Sequence, residues 1–323
     1  MICRYGSSVF NLSSLLRNGL ALRWHILLCV ALLCCSPLLQ ARECLSFIYA
    51  SGGRAFWANL QENIAQEGAR LGYFIYDRGS VDSEHLIDDA QIELLNVAIA
   101  RKCRAIILAP SATIENYNEI LRFLPVPVVL IDRNPGLSSQ FGAVASDQTA
   151  IGSQAWEQLK KSHPDIRRVL VFPNQGKVPS TEQRMAGFAI AAEKDHVRVV
   201  YGPELDQSIG RGRQVVRTWL YTQQPQFDAI FTPNESTTSA VLLALRQLQQ
   251  AGRHPFVGVD RSPLILEAIR SGELLASMVQ DTEKMAKIAV QMANDAIRHP
   301  SRSGRNVLLP PFVLNREVLR NAR

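Results

Sequence analysis

Asp132 and Arg133 stand side by side directly after the apolar run 128–131, and Asp260 with Arg261 follow the run 256–259. Other polar and aromatic residues hold the same kind of place. Ser51-Gly-Gly-Arg54, with Phe56 and Trp57, follows 45–49; Ala109-Pro-Ser111 follows 105–108; Asn234-Glu235 follows 229–231; Gln280-Asp281 follows 276–279; and Arg184 lies near Gly187-Phe188. Together they offer a carboxylate beside a guanidinium, further Arg, Asn, Asp and Gln side chains, and two adjacent aromatics. A ligand whose hydroxyls each donate and accept, and whose rings have apolar faces, asks for this mixture. Each hydrogen bond from such a ligand to a charged side chain contributes about 1.5–3 kcal/mol when buried. The chemistry these residues suit is recognition of a sugar-like solute.

Patterns that would carry a reaction are missing from the sequence. It has no Gly-x4-Gly-Lys-Ser/Thr loop, no Gly-x-Ser-x-Gly elbow and no His-Glu-x-x-His helix. His85, His163, His196, His254 and His299 are scattered without metal-ligand spacing and read as solvated side chains. Neither an enzyme nor a metal or other cofactor is expected.

Residues at strand ends need strands to position them. Short apolar runs without polar alternation recur at 45–49, 73–76, 105–108 and 128–131, then at 169–172, 197–201, 229–231, 256–259 and 276–279. Such runs are buried on both faces, which points to parallel sheets covered by helices. Arg198 interrupts one of them. Intervals of about thirty residues match one strand-helix-strand unit, so the chain reads as two similar α/β halves. Helices at 55–71 and 239–251 are each followed by a glycine stop, Gly72 and Gly252. Open sheets of this kind bind ligands at the carboxyl ends of their strands, where the polar residues above lie.

The 323 residues, 47% hydrophobic and 20% charged, suffice for two compact lobes. Residues 1–41 differ from the rest: they carry Arg4, Arg17 and Arg23, no acidic residue, and an apolar run at 26–35 too short to cross a bilayer. That is the build of a secretory signal peptide, with cleavage expected after Ala41 and an uncleaved N-terminal anchor as the alternative. A periplasmic location follows. Without those arginines 32 basic face 29 acidic side chains, a balance of +3 that makes no case for nucleic acid. Four of six cysteines lie in the leader, leaving Cys44 and Cys103, each at the start of a strand-like run. An even pair in an exported protein suggests a disulfide, against the alternative of two unpaired thiols. If the two strands are parallel neighbours, their starts lie within bridging distance.

Several segments in order resemble the ribose-type periplasmic binding proteins, which share their core with the ligand-binding domains of lactose-repressor-type regulators. They are Ala55-Phe-Trp57, Val129-Leu-Ile-Asp-Arg133, Ser146-Asp147, Arg184-Met-Ala-Gly-Phe188, Ala229-Ile-Phe-Thr-Pro-Asn234, Val257-Gly-Val-Asp260 and Met278-Val-Gln280. The resemblance covers residues 45–318. It implies a type I periplasmic binding protein: two doubly wound parallel-sheet lobes joined by a three-stranded hinge, with crossings near Ser146, Gln280 and Pro311. The lobes would comprise 42–146 with 281–311, and 147–280 with 312–323. In that family the matching positions make the ligand pocket, so Phe56 and Trp57 would stack on the ligand. Asp132 and Arg133 would hold hydroxyls from the first lobe, and Arg184, Asn234, Asp260 and Gln280 from the second lobe and hinge.

The chain departs from that pattern at three points. Arg54 and Ala109 stand where Asn is usual, and no aromatic occurs at 206–209. The extra guanidinium of Arg54 suits a ligand bearing a carboxylate or phosphate. Structural roles also compete: Asp260 as a cap for a helix near Pro263, and one of Phe56 and Trp57 as core. The expected partners are a small carbohydrate and either a membrane permease or a membrane sensor protein, the second belonging to an alternative role as a sensory accessory.

Overall fold

The computed structural model of the protein describes residues 42–49, 55–78, 88–110, 117–134, 140–176 and 178–321. The leader read at 1–41 lies outside the described residues, and among those described no helix is long and apolar enough to cross a membrane.

Two six-stranded sheets carry the fold. The first comprises β1 (Cys44–Ile48), β2 (Phe74–Arg78), β3 (Ala105–Leu108), β4 (Val128–Ile131), β5 (Gly142–Ser146) and β11 (Asn306–Leu309), in the order β11-β5-β4-β3-β1-β2. The second comprises β6 (Arg168–Val171), β7 (Arg198–Tyr201), β8 (Ala229–Phe231), β9 (Phe256–Val259), β10 (Ala276–Val279) and β12 (Phe312–Asn315), in the order β12-β10-β9-β8-β6-β7. Pairing is parallel throughout except between β10 and β12. Helices α1 (Ala55–Arg70), α2 (Asp88–Ala100), α3 (Tyr117–Arg122) and α9 (Thr282–Arg298) pack on the first sheet. Helices α4 (Gln148–Ser162), α5 (Pro179–Lys194), α6 (Ile209–Gln223), α7 (Glu235–Gln247), α8 (Pro263–Ser271) and α10 (Arg316–Asn321) belong to the second.

Apolar runs without alternation become strands buried on both faces. In β3, Ala105 and Ile107 enter the core on one side of the sheet while Ile106 and Leu108 enter the core on the other; Val129 and Ile131 of β4 divide from Val128 and Leu130 in the same way. The interrupted run around Arg198 is explained by position, since β7 is an edge strand whose four residues all keep some exposure. Three strands escape the pattern. β5 is made of small residues, β11 and β12 flank Pro310-Pro311, and Leu308 is exposed.

Sheet membership shows how the chain joins its lobes. β5 lies in the first sheet and β6 in the second; β10 lies in the second while α9 packs on β3, β4 and β5; β11 lies in the first and β12 in the second. The chain therefore crosses between lobes after Ser146, after Gln280 and at Pro310-Pro311. Helix ends are partly as expected. Gly72, at φ 86°, follows α1. The later helix is displaced from the expected 239–251: it begins at Glu235 under an Asn234 cap and stops at Gln247.

The cysteines at the starts of β1 and β3 form a disulfide, with Cα atoms 4.3 Å apart. The pairing Leu45↔Ala105 between the two parallel strands brings them together.

Candidate functional site

The carboxyl ends of the two sheets face each other across a cleft, the placement expected for a ligand site in open α/β sheets. Phe56, Trp57, Asp132, Arg133, Arg184, Asn234, Asp260 and Gln280 all line it. Of the expected site residues, Arg54 lies outside the described residues.

Both lobes present an aspartate in the same way. Asp132 follows β4 at φ 67° and donates its backbone N–H to Val144 O in β5 (2.9 Å); Asp260 follows β9 at φ 69° and donates to Met278 O in β10 (2.8 Å). Left-handed backbone is uncommon away from glycine, but Asp and Asn tolerate it. The ladder bond holds each residue there, and the Ser277 hydroxyl donates to the Asp260 carbonyl (2.5 Å). The helix near Pro263 is capped by Ser262, which accepts from the Ile265 N–H, so Asp260 is not needed as a cap.

Asp132 is 5% exposed, and its Oδ1 accepts no hydrogen bond from the described residues. Burial pushes its carboxyl above the ordinary carboxylate range. The guanidinium groups of Arg133 and Arg184 oppose that shift, and the Asp260 carboxylate of the other lobe reinforces it. Arg133 Nε lies 3.6 Å from Asp132 Oδ2, and its Nη1 donates to Pro110 O (3.0 Å).

Arg184 is 3% exposed and is fixed by its neighbours. Its Nε donates to Gln148 Oε1 (2.7 Å), its Nη1 to Pro233 O (2.9 Å), and Nη1 lies 3.9 Å from Asp260 Oδ2. The helix beneath it is placed by a close crossing of α4 and α5: a Cβ added at Gly152 would collide with the Arg184 carbonyl, and one added at Gly187 with the Thr149 carbonyl. Gln280 donates Nε2 to Asp260 Oδ1 (2.8 Å), while its buried Oε1 accepts no hydrogen bond.

Asn234 is largely committed to structure. Its Oδ1 accepts from the Thr237 N–H (2.9 Å) as the cap of α7, and its Nδ2 donates to Asn174 Oδ1 (3.0 Å), leaving one amide hydrogen for other partners. The aromatic pair divides its roles. Trp57 belongs to the first-lobe core and stacks on Tyr49 with ring centroids 6.0 Å apart, whereas Phe56 is half-buried and meets Trp57 edge-on at 5.0 Å.

The sequence assigns no site role to four further side chains here, although it places Glu235 at a strand end. Asn174 follows β6, and extending the strand-end rule to that strand would have found it. Gln207 lines the cleft in the region where an aromatic was sought. Glu235, 7% exposed, starts α7, and its Oε2 accepts from the Phe56 N–H of the opposite lobe (3.4 Å). Helix α1 has no acidic residue in its first turn, so this carboxylate supplies the negative charge that a helix N-terminus favours. Gln148 stands behind Arg184 and has no sequence signal beyond following Asp147. Replacing it by Leu removes a charged hydrogen bond worth about 1.5–3 kcal/mol. In Gln148→Leu, isothermal titration is expected to show ligand affinity about tenfold lower or more, while Gln148→Glu, which keeps an acceptor, retains most of it.

Comparisons with known proteins agree with this architecture. The family model described as periplasmic binding protein domain matches residues 45–301. The ribose import binding protein of Escherichia coli (strain K12) is 24% identical over 267 residues, covering 80% of this chain and 86% of that one. The ribose import binding protein of Bacillus subtilis (strain 168) is 25% identical over 260 residues, covering 79% and 81%. Among solved structures, the periplasmic component of an ABC-type sugar transport system from Hahella chejuensis superposes with a TM-score of 0.74 at 26% identity, covering 83% of this chain and 98% of that one. A carbohydrate transporter solute binding protein from Agrobacterium radiobacter, in complex with D-arabinose, has a TM-score of 0.78 at 20% identity, covering 88% and 97%, a likeness of fold. With two parallel-dominated sheets, three crossings and a family match over most of its length, the chain belongs to the periplasmic binding protein domain family.

Proposed function

We propose that the protein is an exported solute-binding protein that closes its two lobes, 42–146 with 281–311 and 147–280 with 312–323, around a small sugar or sugar-like ligand. The loaded form is then presented to a membrane transporter; the relatives found are import binding proteins, which makes a permease the partner of choice. The observation that carries the reading is the meeting of Asp132 from one lobe with Arg184, Asp260 and Gln280 from the other. Asp132 Oδ1 and Gln280 Oε1 there are buried acceptors without a donor among the described residues. Buried polar atoms of this kind are normally satisfied, and vicinal hydroxyls would satisfy both. Phe56 adds an apolar face, and the role is one of binding, not turnover. Among the described residues lining the cleft, the carboxylates of Asp132, Glu235 and Asp260 outnumber the guanidinium groups of Arg133 and Arg184. That balance favours a neutral polyol over the anionic ligand that Arg54 alone suggests.

A thermal-shift screen of the purified protein against D-ribose, D-arabinose, D-allose, sugar acids, sugar phosphates and polyols tests the reading. A ligand at a hundred times its Kd stabilises the fold by about 2.7 kcal/mol, and neutral sugars are expected to raise the melting temperature by several degrees. A flat response across the panel would remove the sugar assignment.

A further inference from the structure

Beside the cleft lies a second chamber of about 270 Å³, and Phe56, Asp260 and Gln280 line both. We propose that this chamber is a second carbohydrate subsite, so that the ligand extends beyond one ring as a disaccharide or glycoside whose outer ring rests against Phe312. The inference builds on the sugar-binding reading above and names the class of sugar.

Three observations carry it. The first is chemical: the chamber adds the aromatic ring of Phe312 and the polar groups of Asn59, Glu62 and Arg261 to the shared wall. Flat apolar faces among hydrogen-bonding side chains are what a further sugar ring requires. Phe312 is 43% exposed on an edge strand that ends the second sheet, an apolar ring left partly open to the chamber. The second is the partition between the chambers. Gln280 is 4% exposed, its Nε2 is bound to Asp260 Oδ1, and its Oε1 has no hydrogen bond from the described residues. A sugar hydroxyl beside a glycosidic link that passes the partition would donate to that acceptor.

The third observation is the origin of the walls. Asn59 and Glu62 come from α1 of the first lobe, Asp260 and Arg261 from the second, and Gln280 and Phe312 from beside two of the three crossings. An occupant would touch both lobes and the hinge, so its binding energy would favour the closed form. The charge balance selects its type. Among the described residues lining the chamber, the carboxylates of Glu62, Asp260, Asp281 and Glu283 stand against one guanidinium, that of Arg261, and the Asp281 carboxylate is already engaged with the Lys284 N–H (2.9 Å). The outer ring is therefore neutral.

Isothermal titration of the purified protein tests the subsite, with D-glucose, D-galactose and D-allose compared against cellobiose, maltose, lactose and melibiose, in wild type and Phe312→Ala. At least one disaccharide is expected to bind about tenfold more tightly than its component monosaccharides. Phe312→Ala, at an exposed position outside the first chamber, should remove that gain and leave monosaccharide binding unchanged. Monosaccharides that bind while every disaccharide binds equally or more weakly would overturn the subsite and leave the sugar-binding reading standing. So would a Phe312→Ala protein that weakens both ligand sizes alike. Failure of both sets to bind, with the thermal-shift panel also flat, would remove the sugar reading and the subsite with it.

Discussion

Asp132→Asn is expected to raise the melting temperature of the ligand-free protein while weakening ligand binding by about 100-fold or more. Asn is the informative replacement because it tolerates the left-handed backbone at φ 67°, which Ala would strain. The stability gain follows from burial: a carboxylate oxygen with no hydrogen bond from the described residues lies buried in the cleft, and leaving such a group unsatisfied costs about 1–3 kcal/mol or more. The loss of affinity follows from the same atom, since two hydrogen bonds from ligand hydroxyls to a charged acceptor contribute about 3–6 kcal/mol together, and each 1.4 kcal/mol is about tenfold in Kd.

The pH dependence separates this account from a general packing effect. Burial holds the folded-state pKa of Asp132 above its value in the unfolded chain, about 3.9. The folded protein therefore keeps the proton more readily than the unfolded chain. The favourable contribution of Asp132 is fully present below the unfolded value and is lost as pH rises through the folded value. The advantage of the Asp132→Asn protein over wild type should be full above the folded pKa, shrink on acidification through it, and vanish below about pH 3.9. Differential scanning calorimetry of both proteins across that range measures it. A variant whose advantage is constant with pH, or grows on acidification, would contradict the burial argument.

Removing the disulfide is expected to have the largest effect on stability and little effect on the cleft. Cys44 and Cys103 are 59 residues apart, and closing a loop of that length stabilises by about 4 kcal/mol on the chain-entropy model, whose mechanism is debated. At about 2–4 °C per kcal/mol for a protein of this class, the Cys44→Ala/Cys103→Ala protein should melt about 8–16 °C lower. The bridge lies at the amino-terminal starts of β1 and β3, whereas the cleft is built from residues that follow the strands. Affinity at 25 °C should accordingly stay within about twofold, an effect below about 0.5 kcal/mol. Intact mass with and without reductant establishes the bridge in the purified protein. Melting curves that coincide for the bridged and cysteine-free proteins would show that the loop is already restrained in the unfolded ensemble.

Much of the architecture is legible in the residues themselves. A strand buried on both faces must be apolar at every position, so the runs at 105–108 and 128–131 announce parallel sheets without knowledge of their neighbours. A loop after such a strand can reach a ligand, and this is why Asp132, Asp260 and Gln280 could be named from position alone. The pairing of Cys44 with Cys103 was approachable for the same reason, each sitting at the start of a readable strand.

Other features were decided only by contacts between distant segments. β5, β11 and β12 have weak patterns of their own and exist because a neighbouring strand offers its backbone groups; the antiparallel direction of β12 follows from the return at Pro310-Pro311. The oxygen of Asn234 is taken by the Thr237 N–H because α7 starts there, four residues earlier than its apolar pattern implies. Gln148 and Arg184 are 36 positions apart, and their hydrogen bond depends on glycines that let two helices touch. Glu235 reaches the Phe56 N–H across 179 positions and from the opposite lobe. Periodicity and turn chemistry are local and can be read along a chain; the choice of a partner for a buried polar group belongs to the packed whole, where every donor competes for the same few acceptors.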